Sequence, residues 1–152
     1  MRHLVLFATL SVLTVAGLPA CASGLDDKTP DQQSIDALVA KVQQAHPREQ
    51  CFLYAELVHQ MTELSARQYA AGDVDKASDL LRHIQQAAHS IHLSVADDNK
   101  RLKNAEILLR HTAFRLTEML HSSSLEDQAL VAETLAQVNQ AQTDAMLQVF
   151  RK

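Results

Sequence analysis

Proline and glycine are almost absent from most of this chain. After Pro47 there is no proline in 105 residues, and Gly72 is the only glycine. Strands and their turns normally need both residue types, whereas helices exclude them from their interiors. With 152 residues and 47% hydrophobic side chains, the chain is long enough for one domain with a packed core. The sequence therefore predicts an all-α fold.

The first two helices are marked by capping signals. Thr29-Pro30-Asp31-Gln32 has the form of a capping box with proline at the first helical position. The first helix runs from there to His46-Pro47, where a second helix begins. The second helix extends to Ala71, and Gly72 can end it in the left-handed conformation while Asp73 caps the next.

Apolar residues recur in steps of three and four along the rest of the chain. Polar breaks at residues 97–99 and 122–124 separate the third, fourth and fifth helices, and Ser123 with Glu126 forms another capping box. The third helix has the clearest pattern, a coiled-coil-like heptad seam. Its members are Val74, Ala77, Leu81, Ile84, Ala88, Ile91 and Val95.

Long amphipathic helices joined by short connections favour antiparallel neighbours. We therefore predict an up-down antiparallel helical bundle of four long helices plus a shorter N-terminal helix, forming a single domain over residues 31–152. The Tyr69-Ala70-Ala71-Gly72-Asp73 turn resembles that of a tetratricopeptide hairpin. No second copy follows at the 34-residue period of such repeats, so a tetratricopeptide array is not expected.

Residues 1–22 have the features of a signal peptide. Arg2 and His3 precede an apolar run over residues 4–16, and Ala20-Cys21-Ala22 supplies small residues for cleavage before Ser23. The run is shorter than the roughly 20 residues that a permanent membrane anchor needs. We predict a periplasmic or secreted protein in which residues 23–30 form a flexible tether.

Leu18-Pro19-Ala20-Cys21 also resembles a bacterial lipobox. In that alternative Cys21 is acylated, and the protein is lipid-anchored in the envelope. Contact with a membrane is expected only in this case. Either form of processing leaves Cys51 without Cys21 as a disulfide partner, and its place at the edge of an apolar stripe favours burial.

Charge and motifs exclude several classes of function. Removing residues 1–22 takes away one of the 14 basic residues and none of the 18 acidic ones, which leaves a net charge of −5. This balance opposes nucleic-acid binding. The basic cluster of Lys100, Arg101 and Lys103 lies beside Asp97 and Asp98, which favours a solvated helix start. The chain has no phosphate loop, nucleophile elbow or haem attachment motif. We predict a protein that is not an enzyme and has no cofactor.

Two Glu-x-x-His motifs raise the question of a di-iron site. Ferritin-like bundles place two such motifs, with two further glutamates, in their cores. Here Glu56 and His59 lie opposite Met61 on a helical wheel, and Glu118 and His121 avoid the apolar seam of the fourth helix. We therefore expect all four side chains to point to solvent.

His89 and His92 form the alternative metal site. Their spacing places two imidazoles on adjacent turns of one helix, where they could hold a divalent transition metal. A metal-binding periplasmic protein that uses these surface histidines is the alternative function. Zinc sites usually take three or four protein ligands, and the sequence offers no third that converges on this pair.

The fourth helix carries a second apolar strip. Ile107 and Phe114 are seven residues apart and lie opposite the core stripe, with His111 on the same side. The first helix, a second copy of the chain or another protein has to cover such a strip. We predict a protein-interaction or structural module of the bacterial cell envelope, which binds a protein partner or itself through this face.

Overall fold

The all-α prediction is confirmed in a computed structural model, which describes residues 29–95 and 99–151. Five helices pack against one another. The predicted signal peptide, Cys21 and most of the predicted tether lie outside the described residues. The helices are α1 (Gln32–Gln44), α2 (Pro47–Ala71), α3 (Val74–Ser94), α4 (Leu102–Ser122) and α5 (Leu125–Phe150).

Two helix caps lie one or two residues from their predicted positions. Asp31, not Thr29, caps α1. Its carboxylate accepts a hydrogen bond from the Ser34 backbone N–H at 2.7 Å, and the Ser34 hydroxyl accepts one from the Asp31 backbone N–H. Ser124, not Ser123, caps α5 by accepting the amide of Asp127. Neighbouring residues with similar capping side chains compete for these positions, and the local backbone decides between them.

Gly72 joins α2 and α3 into the first hairpin. Its φ of +84° is left-handed, and its amide donates to the carbonyls of Gln68 and Tyr69 at the end of α2. Asp73 lies at the predicted N-cap of α3, but its side chain makes no capping hydrogen bond. The short connection at Ser123 and Ser124 joins α4 and α5 into a second hairpin.

The first hairpin, α2 and α3, packs against the second, α4 and α5, with α2 beside α4 and α3 beside α5. The long helices occupy four corners in the order α2, α3, α5, α4, so α3 and α4 are diagonal and no described residues of these two helices are in contact. His59 lies against Thr112 and Glu63, one turn later, lies beside Arg115, so α2 and α4 run parallel. Contacts of α3 with α5 show the same parallel register. The expectation that consecutive helices are always neighbours therefore fails at α3 and α4.

Helix α2 is the most buried because three helices surround it. It packs against α1, α3 and α4, and its buried residues include the adjacent Cys51, Phe52 and Leu53. Helix α1 contacts α2 alone among the described helices, through Ile35, Leu38 and Val42. None of the described helices combines the length and apolar character needed to cross a bilayer.

Candidate functional site

The predicted strip on α4 lies on the outside of the second hairpin. Phe114 is 67% exposed and His111 is exposed, whereas Ile107 is half-buried. Two residues away, Leu116 is completely buried, so the helix turns one apolar face inward and leaves Phe114 outside. Cover by the first helix, one of the three predicted alternatives, is wrong because α1 makes no contact with α4 among the described residues.

A longer uncharged strip runs along α5 beside it. Eight exposed residues follow one another in steps of four and three over the whole helix, and none of the eight is charged. Leu125 and Phe150, 87% and 80% exposed, stand at its two ends. The α5 outer strip consists of Leu125, Ala129, Ala132, Ala136, Asn139, Thr143, Met146 and Phe150.

Together these residues make an outer face of the second hairpin that no described helix covers. Helix α5 contacts only α3 and α4, and α4 contacts only α2 and α5, among the described elements. At the seam between α4 and α5, the half-buried Gln142 donates from Nε2 to Glu106 Oε1 at 3.3 Å. This polar pair fixes the register of the two helices that carry the face. A helix of this length with an exposed heptad of uncharged residues can pack against another helix.

The predicted metal pair lies in a groove between α3 and α5. His89 and His92 are exposed, and their ring centroids are 6.4 Å apart at the wall of a groove of about 690 Å³. His92 Nδ1 lies 2.6 Å from Asp144 Oδ2, and Gln140 donates to the other oxygen of that carboxylate at 3.1 Å. Asp144 therefore contacts the His92 ring through Nδ1, and Nε2 takes no part in this contact. We call this site the histidine groove.

The ligand set of the histidine groove is small. No group of three His, Cys, Asp or Glu side chains that could hold a metal ion occurs in the described part of the chain. The same holds for the Glu-x-x-His motifs, which do not converge on a common ion there. Glu118 and His121 are exposed as predicted, and Glu118 accepts from Arg115 at 3.0 Å.

The prediction that His59 points to solvent is wrong, because the parallel packing of α2 on α4 half-buries it against Thr112. Glu56 is also half-buried rather than fully exposed. Thr112 Oγ1 donates its hydrogen to the Leu108 carbonyl, so it accepts a hydrogen bond from the Nδ1–H of His59 at 3.2 Å. Burial lowers the pKa of His59 and His111 lowers it further, while the Glu63 and Glu56 carboxylates oppose them.

The predicted burial of Cys51 is confirmed. Its thiol is completely buried at the start of α2, and it has no disulfide partner among the described residues. Burial raises the pKa of Cys51 to about 11, and a smaller effect in the other direction comes from its hydrogen bond with Asn99. Such a thiol is a packing residue, because the reactive form of cysteine is the thiolate.

Sequence reasoning missed the α5 outer strip. Met146 belongs to the exposed strip, although it directly follows the completely buried Ala145 in the sequence. The signal was present, since α5 has a second heptad series offset from its buried one, from Leu125 to Phe150. Small residues fill the middle of that series, so hydrophobicity alone gives it little weight.

Comparisons with protein-family models, with curated proteins and with solved structures find nothing that matches this chain. We therefore infer a function from the surface chemistry of the described residues.

Proposed function

We propose that this protein is an exported, non-enzymatic helical module of the bacterial cell envelope that binds protein through the outer face of its second hairpin. The single observation that supports this function is the α5 outer strip beside Phe114. Scattered exposed apolar residues are normal on any protein, but a contiguous exposed patch with no charge and with large apolar residues marks an interaction surface. Here an uncharged strip runs the length of a helix of 26 residues, with Leu125, Met146 and Phe150 as its large apolar members.

The envelope location is supported by the sequence of residues 1–22. Export with cleavage before Ser23 gives a periplasmic or secreted protein, and acylation at Cys21 gives a lipid-anchored one. Intact mass of the protein from an exporting cell distinguishes these, because each form has a different amino terminus. A mass that retains residues 1–22 without lipid would contradict export.

The binding function is tested by capture from envelope extract with two matched variants. Phe114→Glu places a charge on the outer face, whereas Leu93→Glu does so at a residue that is 72% exposed on α3, outside that face. We expect the first variant to retain less than one tenth of the protein captured by the unmodified chain, and the second to retain all of it. Equal capture by both variants, or a monomer that captures nothing, would contradict the proposal.

Metal binding at the histidine groove is the second candidate. It is supported by the contact between Asp144 and His92, because a carboxylate on one imidazole nitrogen orients the other toward a metal. Elemental analysis after purification without chelators, followed by zinc titration of the His92→Ala variant, tests it. Absence of zinc, copper and iron, with no binding that depends on His92, would remove this candidate.

A further inference from the structure

We propose that the partner of the outer face is a second copy of this chain, with α5 antiparallel to its counterpart across a two-fold axis between Ala136 and Asn139. This inference rests on the proposed function and names its partner. Two-fold dimers are the commonest protein oligomers, and their interfaces use the same surface patch twice. The α5 outer strip could meet its copy in a parallel or an antiparallel direction, and its order of residue sizes favours the antiparallel one.

The sizes of the residues along the strip are complementary when one copy is reversed. In the antiparallel register each layer then joins two different positions of the strip. Leu125 meets Phe150 at both ends of the interface, and Ala129 meets Met146 in the next layers. Because large residues then fill the space beside small ones, the interface packs without large voids. The four pairs are Leu125–Phe150, Ala129–Met146, Ala132–Thr143 and Ala136–Asn139.

A parallel pair would pack poorly. Identical residues would face each other, so the alanine layers at residues 129, 132 and 136 would hold only methyl groups, while Met146 and Phe150 would each meet a copy of itself. With small residues together in one half of the interface and large residues together in the other, the first half contains voids and the second is crowded. The sequence of the strip therefore favours the antiparallel direction.

Charge at the two ends of α5 favours the same direction. Glu126 lies exposed in its first turn, and the exposed Arg151 follows its last. Antiparallel pairing brings Glu126 of each copy to the end where Arg151 of the other lies, and it also opposes the two helix dipoles. Parallel pairing would place like charges together at both ends.

The same axis also brings the α4 strips together. The two-fold axis passes between residues 137 and 138 of α5. Because Gln142 is hydrogen-bonded to Glu106 and the two helices are antiparallel, this point of α5 lies beside residues 110 and 111 of α4. Phe114 of one copy then lies at the level of Ile107 of the other. Arg110, close to the axis, keeps its own countercharge, because its guanidinium is 3.9 Å from the Glu106 carboxylate.

The face is large enough for a stable dimer. At 1.5 Å per residue, α5 is about 39 Å long, and a strip one helix diameter wide covers on the order of 400 Å². The adjacent outer side of α4 roughly doubles this area, which reaches the ~800 Å² per partner of a standard interface.

Mass measurement tests self-association. By light scattering and sedimentation equilibrium we expect the unmodified protein to be a dimer. We expect Ala132→Lys to weaken association at least tenfold, because it adds one charge to each strip and therefore two charges to the interface. Ala40→Lys, at an exposed alanine of α1, is the matched control and should leave association unchanged. Circular dichroism of both variants verifies that they are folded. A monomer at ~100 µM, well above the Kd of a specific dimer, overturns the proposal.

Cysteine cross-linking tests the direction in chains where Cys21→Ser removes the competing thiol. In the antiparallel dimer, Ala132→Cys and Thr143→Cys chains form a disulfide when mixed. Neither variant forms a disulfide with itself. The two copies of residue 132, or of residue 143, are offset by 11 positions along the helix axis, about 16 Å, whereas a disulfide needs Cα atoms within ~7 Å. Disulfide formation by Ala132→Cys alone would indicate a parallel dimer and overturn the inference.

The outcomes separate this inference from the proposed function. If the chain is a monomer but Phe114→Glu abolishes capture of another envelope protein, self-pairing is wrong and the proposed function stands. If the chain is a monomer and Phe114→Glu captures as much protein as the unmodified chain, self-pairing and the proposed function are both wrong.

Discussion

At the scale of single residues, Cys51 is expected to be chemically inert. With its pKa raised to about 11 by burial, its thiolate fraction at pH 8 is on the order of 10⁻³, against about a quarter for a free cysteine. In a Cys21→Ser chain, we predict that a thiol reagent labels Cys51 more than 100-fold faster in 6 M guanidinium than in buffer. Each rate is divided by the reagent's rate with a free thiol in the same solution. Equal rates would mean that the start of α2 opens readily.

His59 is expected to link stability to pH. Burial lowers its pKa in the folded chain, so the unfolded chain binds the extra proton more readily as pH falls below about 6.5. The stabilisation by neutral His59 is complete above that pH and is lost as pH falls through the folded pKa.

Urea unfolding between pH 5 and 8 measures this effect. We predict that His59→Gln, which keeps an N–H for Thr112 but does not titrate, reduces the loss of unfolding free energy at low pH. The matched control is His121→Gln, at an exposed histidine of α4. If both variants have the same pH dependence as the unmodified chain, the assignment to His59 is wrong.

At the scale of elements, Gly72 determines where the first hairpin turns. Its φ of +84° is costly for other residues, although an added Cβ would meet no atom within 4 Å. We predict that Gly72→Ala lowers the unfolding free energy by about 1 kcal/mol through backbone strain alone. Gly72→Asn should recover part of that loss, since asparagine tolerates this conformation. Equal losses in urea unfolding would show that the left-handed turn is not the cause.

Helix existence was predictable from local sequence, whereas the residues that cap the starts of α1 and α5 were not. The rarity of proline and glycine, and the recurrence of apolar residues, predicted five helices. Thr29 and Asp31 both have capping side chains, and so do Ser123 and Ser124, so composition cannot choose between them. The choice depends on which backbone enters the helix at the correct angle, and that follows from packing of the whole element.

At the scale of the whole molecule, Leu116 and Phe114 separate core from surface on one helix. Leu116 is completely buried and Phe114 is 67% exposed. We predict that Leu116→Ala lowers the unfolding free energy by about 2–5 kcal/mol, as for other core truncations. Phe114→Ala should change it by less than about 0.5 kcal/mol where the chain is monomeric. Similar losses for both, measured by urea unfolding, would contradict the packing of α4.

The stacking of the hairpins depended on long-range contacts. Short connections indicate that α2 pairs with α3 and that α4 pairs with α5. Seven residues separate the end of α3 from the start of α4, and α4 packs beside α2 rather than beside α3. That packing half-buries His59 against Thr112, and no helical wheel of α2 alone could show it.

The helical class of this protein, the turn at Gly72 and the burial of Cys51 follow from local sequence, because backbone conformation and apolar spacing act over a few residues. Which helix faces meet depends instead on contacts between residues far apart in the chain. The strip from Leu125 to Phe150 has the same spacing as a buried seam, and it is exposed because α3 and α4 already occupy the other sides of α5. A helix has several faces, and its neighbours determine which one remains for a partner.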